Sequence, residues 1–469
     1  MKTKMNRQKY IAVIMLFLIF IALGCSNKND KTPNQSLECN NCNVIIIGLT
    51  VLRADHLGSY GYLRNTTPNI DNIAAKSFVF KNAISSSSWT LPSFMSIFTS
   101  TYPSEHGVRN RYVINKKRRE GNALKEPTPH DKTIANLKKL SPDIRTLAEV
   151  LNKNNYATSA FTGNAHLNRT YGHDAGFNTY YDSKPFGGFE TTIPLALKWL
   201  GENKDHKFFL FVHGYDIHGR YELQKDSSRK FMDKNYHGYY TGAEEEQITL
   251  RNLSLDNGYV DLSEEDKKFW IDLYDSKLYD ADQRLGKFFF ELKALGILNN
   301  SIIIIMGDHG EELFERNRID HGFSLYDELI HVPLIIYIPY SEQKRFIDKK
   351  IIVDEQVRTI DIMPTILDVV GINLDLDIKN QMKGTSLVPL VTGQHLNLDA
   401  ISETDYIYRI FKRSLRKSDG WKFIYSLDTD EKELYNLNED PEEKNNLIDK
   451  EPRMAYELEQ ELFRQMYGG

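Results

Sequence analysis

Apolar residues along this chain gather into short unbroken runs, and stretches of helical periodicity separate them. Asn43–Leu49 reads NVIIIGL, Lys207–Val212 reads KFFLFV, Ile302–Ile305 is four isoleucines, and Leu334–Ile338 reads LIIYI. Runs without a polar residue at every second position are what strands buried on both faces require, as in a parallel sheet. The segment Asp143–Asn152 keeps Ile144, Leu147 and Leu151 at helical spacing and leads into a strand at Tyr156–Phe161. Glu264–Leu295 is a long helical pattern without proline, and Ile360–Val370 is a shorter one with Pro364 in its early turn. This order predicts βαβ units and an α/β domain, with a mostly parallel sheet flanked by helices. After about Gly393 the segments become shorter, charged and aromatic, such as Trp421–Leu427 before a last helix at Met454–Met466. The expected division is an α/β domain over 43–393 and a small C-terminal α+β subdomain over 394–469.

The start of the chain reads as an address. Lys2, Lys4, Arg7 and Lys9 precede an apolar run from Ile11 to Leu23 that ends at Gly24 and Cys25. A basic start followed by a short apolar run predicts a secretory signal peptide over 1–24. The run is shorter than the ~20 residues of a spanning helix. Ala22-Leu23-Gly24-Cys25 resembles a bacterial lipobox, which implies cleavage before Cys25 and lipidation of its thiol. An uncleaved anchor would lead to the same place: a bacterial cell-envelope protein held to a membrane, on its periplasmic or extracellular side. Residues 25–42 read as a flexible tether, with Cys39 and Cys42 forming a structural or incidental pair.

Formal net charge is -5 over 469 residues, which gives no reason to expect a nucleic-acid partner. The basic segment Arg109–Lys139, with Lys116-Lys117-Arg118-Arg119 inside it, reads as a solvated loop or as a surface for a polyanion.

Chemistry concentrates after the buried runs. The first leads to Thr50, Arg53, Asp55 and His56, the Lys207 run to His213, Asp216 and His218, and the isoleucine run to Asp308, His309 and, a loop later, His321. Strand ends converge in an open α/β sheet, so these residues are candidates for one site. A carboxylate beside an imidazole can supply two ligands to a divalent metal, although Asp308 equally reads as a helix cap. Thr90 opens a helical pattern, Leu91–Ser100, with Pro92 in its first turn. Its hydroxyl is a candidate nucleophile or an N-cap.

Several long segments, in order, resemble the sulfatase family of the alkaline-phosphatase superfamily. They include NVIIIGLTVLRADHLGSYGY, SSSSWTLPS, FTSTYPSEHGV, MGDHGEE, HGFSLYDELIHVPLII and ELYNLNEDPEEKNNL. The resemblance implies an alkaline-phosphatase-like α/β fold, one divalent metal ion (Ca²⁺, Zn²⁺ or Mn²⁺) and hydrolysis of a sulfate or phosphate ester. It puts Thr90 at the nucleophile position and, with Asp308 and His309, at the metal. His166 and His218 fall where family histidines contact the ester and leaving group, and His321 where many members carry a lysine. Expected partners are a sulfated or phosphorylated envelope or extracellular substrate, and a membrane through the lipid anchor. Four departures bear on this. Thr50 stands where the family has a metal-binding aspartate, Thr90 replaces the usual cysteine or serine, Phe94 an arginine, and Asn164 a lysine. They leave open a threonine-dependent phosphoryl or phospho-head-group transferase, and a catalytically impaired binding or scaffold protein. The sequence leaves open the entry of Asp55 or Glu311 in place of the lost carboxylate, but favours Asp55 as a partner of Arg53 or a turn cap and Glu311 and Glu312 as the start of a helix.

Overall fold

Every residue of Asn43–Leu49, Phe208–Gly214 and Ser301–Gly307 is buried, and these three strands lie side by side at the centre of an eight-stranded sheet. The computed structural model describes residues 37–110, 118–120, 123–125, 139–164, 166–219, 229–339, 350–406 and 410–468. The expected signal peptide, Cys25, most of the tether and most of the basic segment lie outside the described residues. From Glu38 onward the described residues form one compact unit.

Across the sheet the strands run in the order Ile351–Arg358, Phe78–Ile84, His331–Tyr337, Ser301–Gly307, Asn43–Leu49, Phe208–Gly214, Ala157–Phe161 and Thr179–Tyr181. All are parallel except His331–Tyr337, which runs against both its neighbours. Alternate residues feed two cores, because successive side chains leave opposite faces of a strand. Ile45, Ile47, Leu210, Val212, Ile303 and Ile305 pack with the 31-residue helix Glu264–Ala294. On the other face a Cβ at Gly48 would lie 2.7 Å from the Phe94 ring, and that ring packs on Phe211. Both faces are therefore covered, which is why these strands carry no polar alternation. Among the described residues no helix is long and apolar enough to cross a membrane.

The C-terminal part is a four-stranded antiparallel sheet, Ala400–Tyr406, Ile410–Arg416, Trp421–Ser426 and Glu431–Asn436. The final helix, Pro452–Tyr467, lays Ala455, Leu458 and Leu462 on Ile401, Leu415, Phe423 and Leu434. Lys422 ties this sheet to the α/β domain. Its side chain is fully buried, with Nζ 2.7 Å from Asp327 Oδ1 and 2.7 Å from Glu443 Oε1. Lys422→Ala leaves the buried Glu443 without its cation and Asp327 with Arg416 alone, so a loss of roughly 3–5 kcal/mol is expected in denaturant unfolding. A loss below about 1 kcal/mol would place these charges in water-like surroundings instead.

At the other end of the described chain, Cys39 and Cys42 form a disulfide and the Cys39 N–H donates to Val369 O at 2.6 Å. The last residues read as tether thus dock on the domain.

Candidate active site

Register decides what meets at the carboxyl end of the sheet. Gly48 is paired with His213 on one side and Met306 on the other, and Leu49 with Gly307. Two residues on from Gly48 and Met306, Thr50 and Asp308 return to the same face as His213. They touch there: Thr50 Oγ1 lies 3.3 Å from Asp308 Oδ2 and 2.8 Å from His213 Nε2. All three side chains are buried.

The direction of each hydrogen bond follows from one backbone group. Gly163 N–H donates to His213 Nδ1 at 3.3 Å, so the ring proton sits on Nε2 and is donated to Thr50. Thr50 then passes its own proton to Asp308 Oδ2. Burial pushes the His213 pKa down to about 3, which keeps the ring neutral.

Thr90 arrives from the opposite side, on the helix Thr90–Thr99. Trp89 is the N-cap and Thr90 the first helical residue, and no side chain caps this end. The Thr90 hydroxyl is therefore free of the capping role open to it in the sequence. Its Oγ1 lies 3.1 Å from His309 Nε2, with Tyr215 OH 3.5 Å away. His309 Nδ1–H donates to Gly310 O at 2.8 Å, which leaves the Nε2 lone pair facing Thr90. Ser85 Oγ at 2.5 Å and Ser93 Oγ at 2.6 Å hold the Asp308 carbonyl, and Ser93 lies on the Thr90 helix. A Cβ at residue 310 would meet Glu328 O at 2.0 Å, so the turn after the Asp308–His309 pair requires glycine.

Three groups fit a divalent cation. Asp308 Oδ1 is buried and has no hydrogen-bond partner among the described residues, a costly state for a carboxylate oxygen unless a ligand takes it. Burial also pushes the Asp308 pKa up to about 7, the shift of a buried carboxylate without a compensating cation. His309 offers Nε2 in the ligating tautomer, because its other nitrogen is held by the Gly310 carbonyl. Thr90 Oγ1 completes the group. The Thr50 side fits less well, since His213 Nε2 carries hydrogen and Thr50 adds no charge. This donor set, with one anion and one imidazole, suits Zn²⁺ or Mn²⁺ better than Ca²⁺.

The remaining candidate histidines gather nearby. His321 lies 4.5 Å from His309 and 5.0 Å from His218 between ring centroids. Its Nδ1 is 3.0 Å from Glu311 Oε1 and 3.0 Å from Asp320 Oδ1. Burial pulls its pKa down, but Asp320 and Glu311 outweigh burial and raise it. Ligand atoms of Glu311, Asp320 and His321 lie within 4.8 Å of one another, a spacing that a cation could also use. Arg251 Nε, 2.5 Å from Asp320 Oδ2, already supplies positive charge there, which opposes a metal cation and works against the imidazolium that Asp320 and Glu311 favour. His218 donates Nδ1–H to Gly219 O at 3.1 Å, and burial pushes its pKa down to about 3. His166 packs edge-on to Trp89, ring centroids 5.9 Å apart.

Several residues marked in the sequence point elsewhere. Asp55 pairs with Arg53 at 2.6 Å, and Glu311 with His321, so neither joins Asp308 in place of the missing carboxylate. His56 Nδ1 lies 2.6 Å from Asp275 Oδ1. Asp216 accepts from Phe189 N at the start of the helix Phe189–Asn203 and pairs with Arg284 at 2.8 Å. Phe94 is turned inward with its ring edge-on to His213, centroids 5.1 Å apart. Asn164 Nδ2 donates to Asp182 O at 2.5 Å. Glu312 forms a short strand with Leu313 against Ile319–Asp320, where a helix start was expected.

Comparison with known proteins follows the same lines. The family description "Sulfatase" matches residues 42–372, and "N-sulphoglucosamine sulphohydrolase, C-terminal" matches residues 315–467. Arylsulfatase K of Rattus norvegicus is 29% identical over 194 residues, covering 39% of this chain and 32% of the rat protein. The match thus spans about a third of that relative's length. An arylsulfatase of Clostridium perfringens is 23% identical over 456 residues, covering 87% of this chain and 90% of its own. Among solved structures, one in complex with its substrate D-glucosamine-2-N,6-O-disulfate superposes with TM-score 0.66 at 18% identity, covering 91% of this chain and 98% of the other. The phosphonate monoester hydrolase of Agrobacterium radiobacter gives TM-score 0.67 at 18% identity, covering 90% and 94%. At such identities the structural likeness is one of fold.

Proposed function

The chain belongs to the sulfatase family, and on that footing we propose that it hydrolyses a sulfate ester of a saccharide at the Thr90–Asp308–His309 site. The observation that carries this reading is the convergence of Thr90 Oγ1, His309 Nε2 and the unpartnered Asp308 Oδ1 in one buried space. Asp308, His309 and Thr90 would hold one divalent metal ion. When bound, that ion would polarise the ester oxygens and favour the ionised form of a bound hydroxyl.

The chain's own groups divide the remaining work. Thr90 stands at the first turn of a helix, where free N–H groups and the dipole favour an anionic sulfate. Attack by Thr90 Oγ1 makes an O–S bond as the bond from sulfur to the sugar oxygen breaks. The Thr90 proton leaves, and the departing sugar oxygen takes one up. Asp320 and Glu311 raise the pKa of His321, so of these imidazoles it is the one suited to the ester anion and to delivery of that proton. His218, kept neutral by burial with Nδ1 committed to Gly219 O, serves better as an acceptor. Water then releases sulfate and restores the hydroxyl.

A second reading has an observation of its own. Thr50 takes the His213 N–H where an aspartate would face the metal, so hydrogen bonds have replaced a charge. That supports a weakened site, and a binding or scaffold role if metal is not retained. The Thr90 hydroxyl, together with the likeness in fold to a phosphonate monoester hydrolase, supports phosphate-ester chemistry as the variant of the main reading. Assays with 4-nitrophenyl sulfate, phosphate and phenylphosphonate, each with Zn²⁺, Mn²⁺ and Ca²⁺, decide among them. Sulfate turnover supports the proposal, a preference for phosphorus esters moves it to the phosphate variant, and silence on all three leaves the binding role.

The N-terminal sequence further supports lipidation at Cys25 and anchoring at a bacterial cell envelope. The mass of the mature N-terminal peptide tests this: a diacylglyceryl adduct on Cys25 is the expected result, and an intact Met1 peptide the contrary one.

A further inference from the structure

Arg251 sits on the helix Glu244–Asn257. That helix is fastened beside the site. Ser254 Oγ accepts from Ile319 N at 3.1 Å, and Leu255 packs on the cluster containing Trp89, Phe323 and Tyr406. Arg251 lies four residues before Leu255, on the same side of the helix. Its Nε is 2.5 Å from Asp320 Oδ2, and one terminal nitrogen donates to Tyr406 OH. Its other terminal nitrogen has no hydrogen-bond partner among the described residues, and the side chain stays 32% exposed.

Two contact paths link this guanidinium to the reacting groups. One runs through Asp320 to His321, whose ring lies 4.5 Å from His309. The other runs through Tyr406 to Trp89, ring centroids 5.3 Å apart, and Trp89 caps the helix that Thr90 begins. Arg251 thus stands two side chains from Thr90 through Tyr406 and Trp89 and three through Asp320, His321 and His309, beside the site rather than against the reacting oxygen. No lysine or arginine occupies positions 94 and 164, since Phe94 faces the core and Asn164 faces Asp182. The one guanidinium nitrogen left over from Asp320 and Tyr406 can donate a charge-assisted hydrogen bond to an oxygen of a sulfate or carboxylate.

We propose that Arg251 is a specificity-determining residue that receives a second oxyanion, sulfate or carboxylate, on the sugar bearing the scissile ester. The substrate class is then a saccharide unit with at least two negative charges. This rests on the sulfate-ester reading of the Thr90 site.

Calorimetric binding of three probes tests it: glucosamine 6-O-sulfate, glucosamine-2-N,6-O-disulfate and glucuronic acid 2-O-sulfate. The wild-type protein is expected to bind the doubly anionic sugars roughly 10-fold or more tighter than the monosulfate at low salt. In Arg251→Gln that ratio should fall below about threefold. If only one doubly anionic sugar shows the preference, it identifies the oxyanion as sulfate or carboxylate. A wild-type ratio near one overturns the proposal, as does a ratio unchanged in the variant. If Arg251→Gln does not fold, Arg251→Lys keeps the charge but loses the guanidinium; a reduced ratio then supports the proposal and an unchanged one overturns it. Turnover of the same sugars is followed separately. Preference without turnover keeps the Arg251 assignment and removes the hydrolase, whereas turnover without preference does the reverse.

Discussion

Thr90→Ala is expected to lower turnover of the preferred ester by roughly 10³-fold or more, as removal of an attacking group does in other covalent mechanisms. The argument is geometric. Thr90 Oγ1 faces the His309 lone pair at 3.1 Å, with Tyr215 OH 3.5 Å away and the Asp308 carboxyl group also within hydrogen-bonding reach. The hydroxyl makes no capping bond to its own helix, so its removal costs little stability and the loss would be chemical. Thr90→Ser keeps the nucleophile and should retain most of the activity, which separates loss of the oxygen from loss of packing. Activity within about threefold of wild type in Thr90→Ala would pass the attack to water and leave Thr90 a structural residue.

The second large effect is a gain. Thr50→Asp should tighten divalent-metal binding by about 100-fold, because charge count dominates affinity at hard-cation sites. The new carboxylate would lie in register beside Asp308, which Thr50 already approaches at 3.3 Å. His213 Nε2–H, now 2.8 Å from the Thr50 hydroxyl, would donate to the carboxylate and orient it, as outer partners of metal ligands do. Competition with a chromogenic chelator reads the change. An unchanged affinity would mean that the Asp308 side is not where metal binds. A gain in affinity with turnover in the variant alone would mean that this chain's chemistry has lapsed at position 50.

Much of this was legible in the sequence, for reasons visible in particular residues. Strands buried on both faces must be apolar throughout, so Asn43–Leu49 and the isoleucine run stood out and lie adjacent in the sheet. The 31-residue helix announced itself by length and by lacking proline. One side of the sheet did not: the edge strand Ile351–Arg358 carries Asp354 and Glu355, since edges meet solvent and tolerate charge, and its neighbour Phe78–Ile84 carries Lys81 and Asn82. At the site, Thr50, Thr90, Asp308 and His309 were picked out by their places at strand or helix ends, and His321 a loop later. His213 was noticed but given no part. Its partnership with Thr50 depends on strand register, and only the register puts it level with Gly48. Arg251 itself was not singled out, since it lies in a polar helix and reaches the site only through tertiary packing. Asp216 was noticed for the right reason and does other work, capping a helix.

The account stands on a divalent ion held by Asp308 and His309, and metal content of the purified protein tests that most directly. The protein is dialysed against chelator, reloaded separately with Zn²⁺, Mn²⁺ and Ca²⁺, and assayed for bound metal beside Asp308→Asn. The expected result is close to one equivalent of Zn²⁺ or Mn²⁺ per chain in wild type, weaker retention of Ca²⁺, and loss of bound metal in the variant. Equal metal content in the two proteins, or none in either, would contradict it.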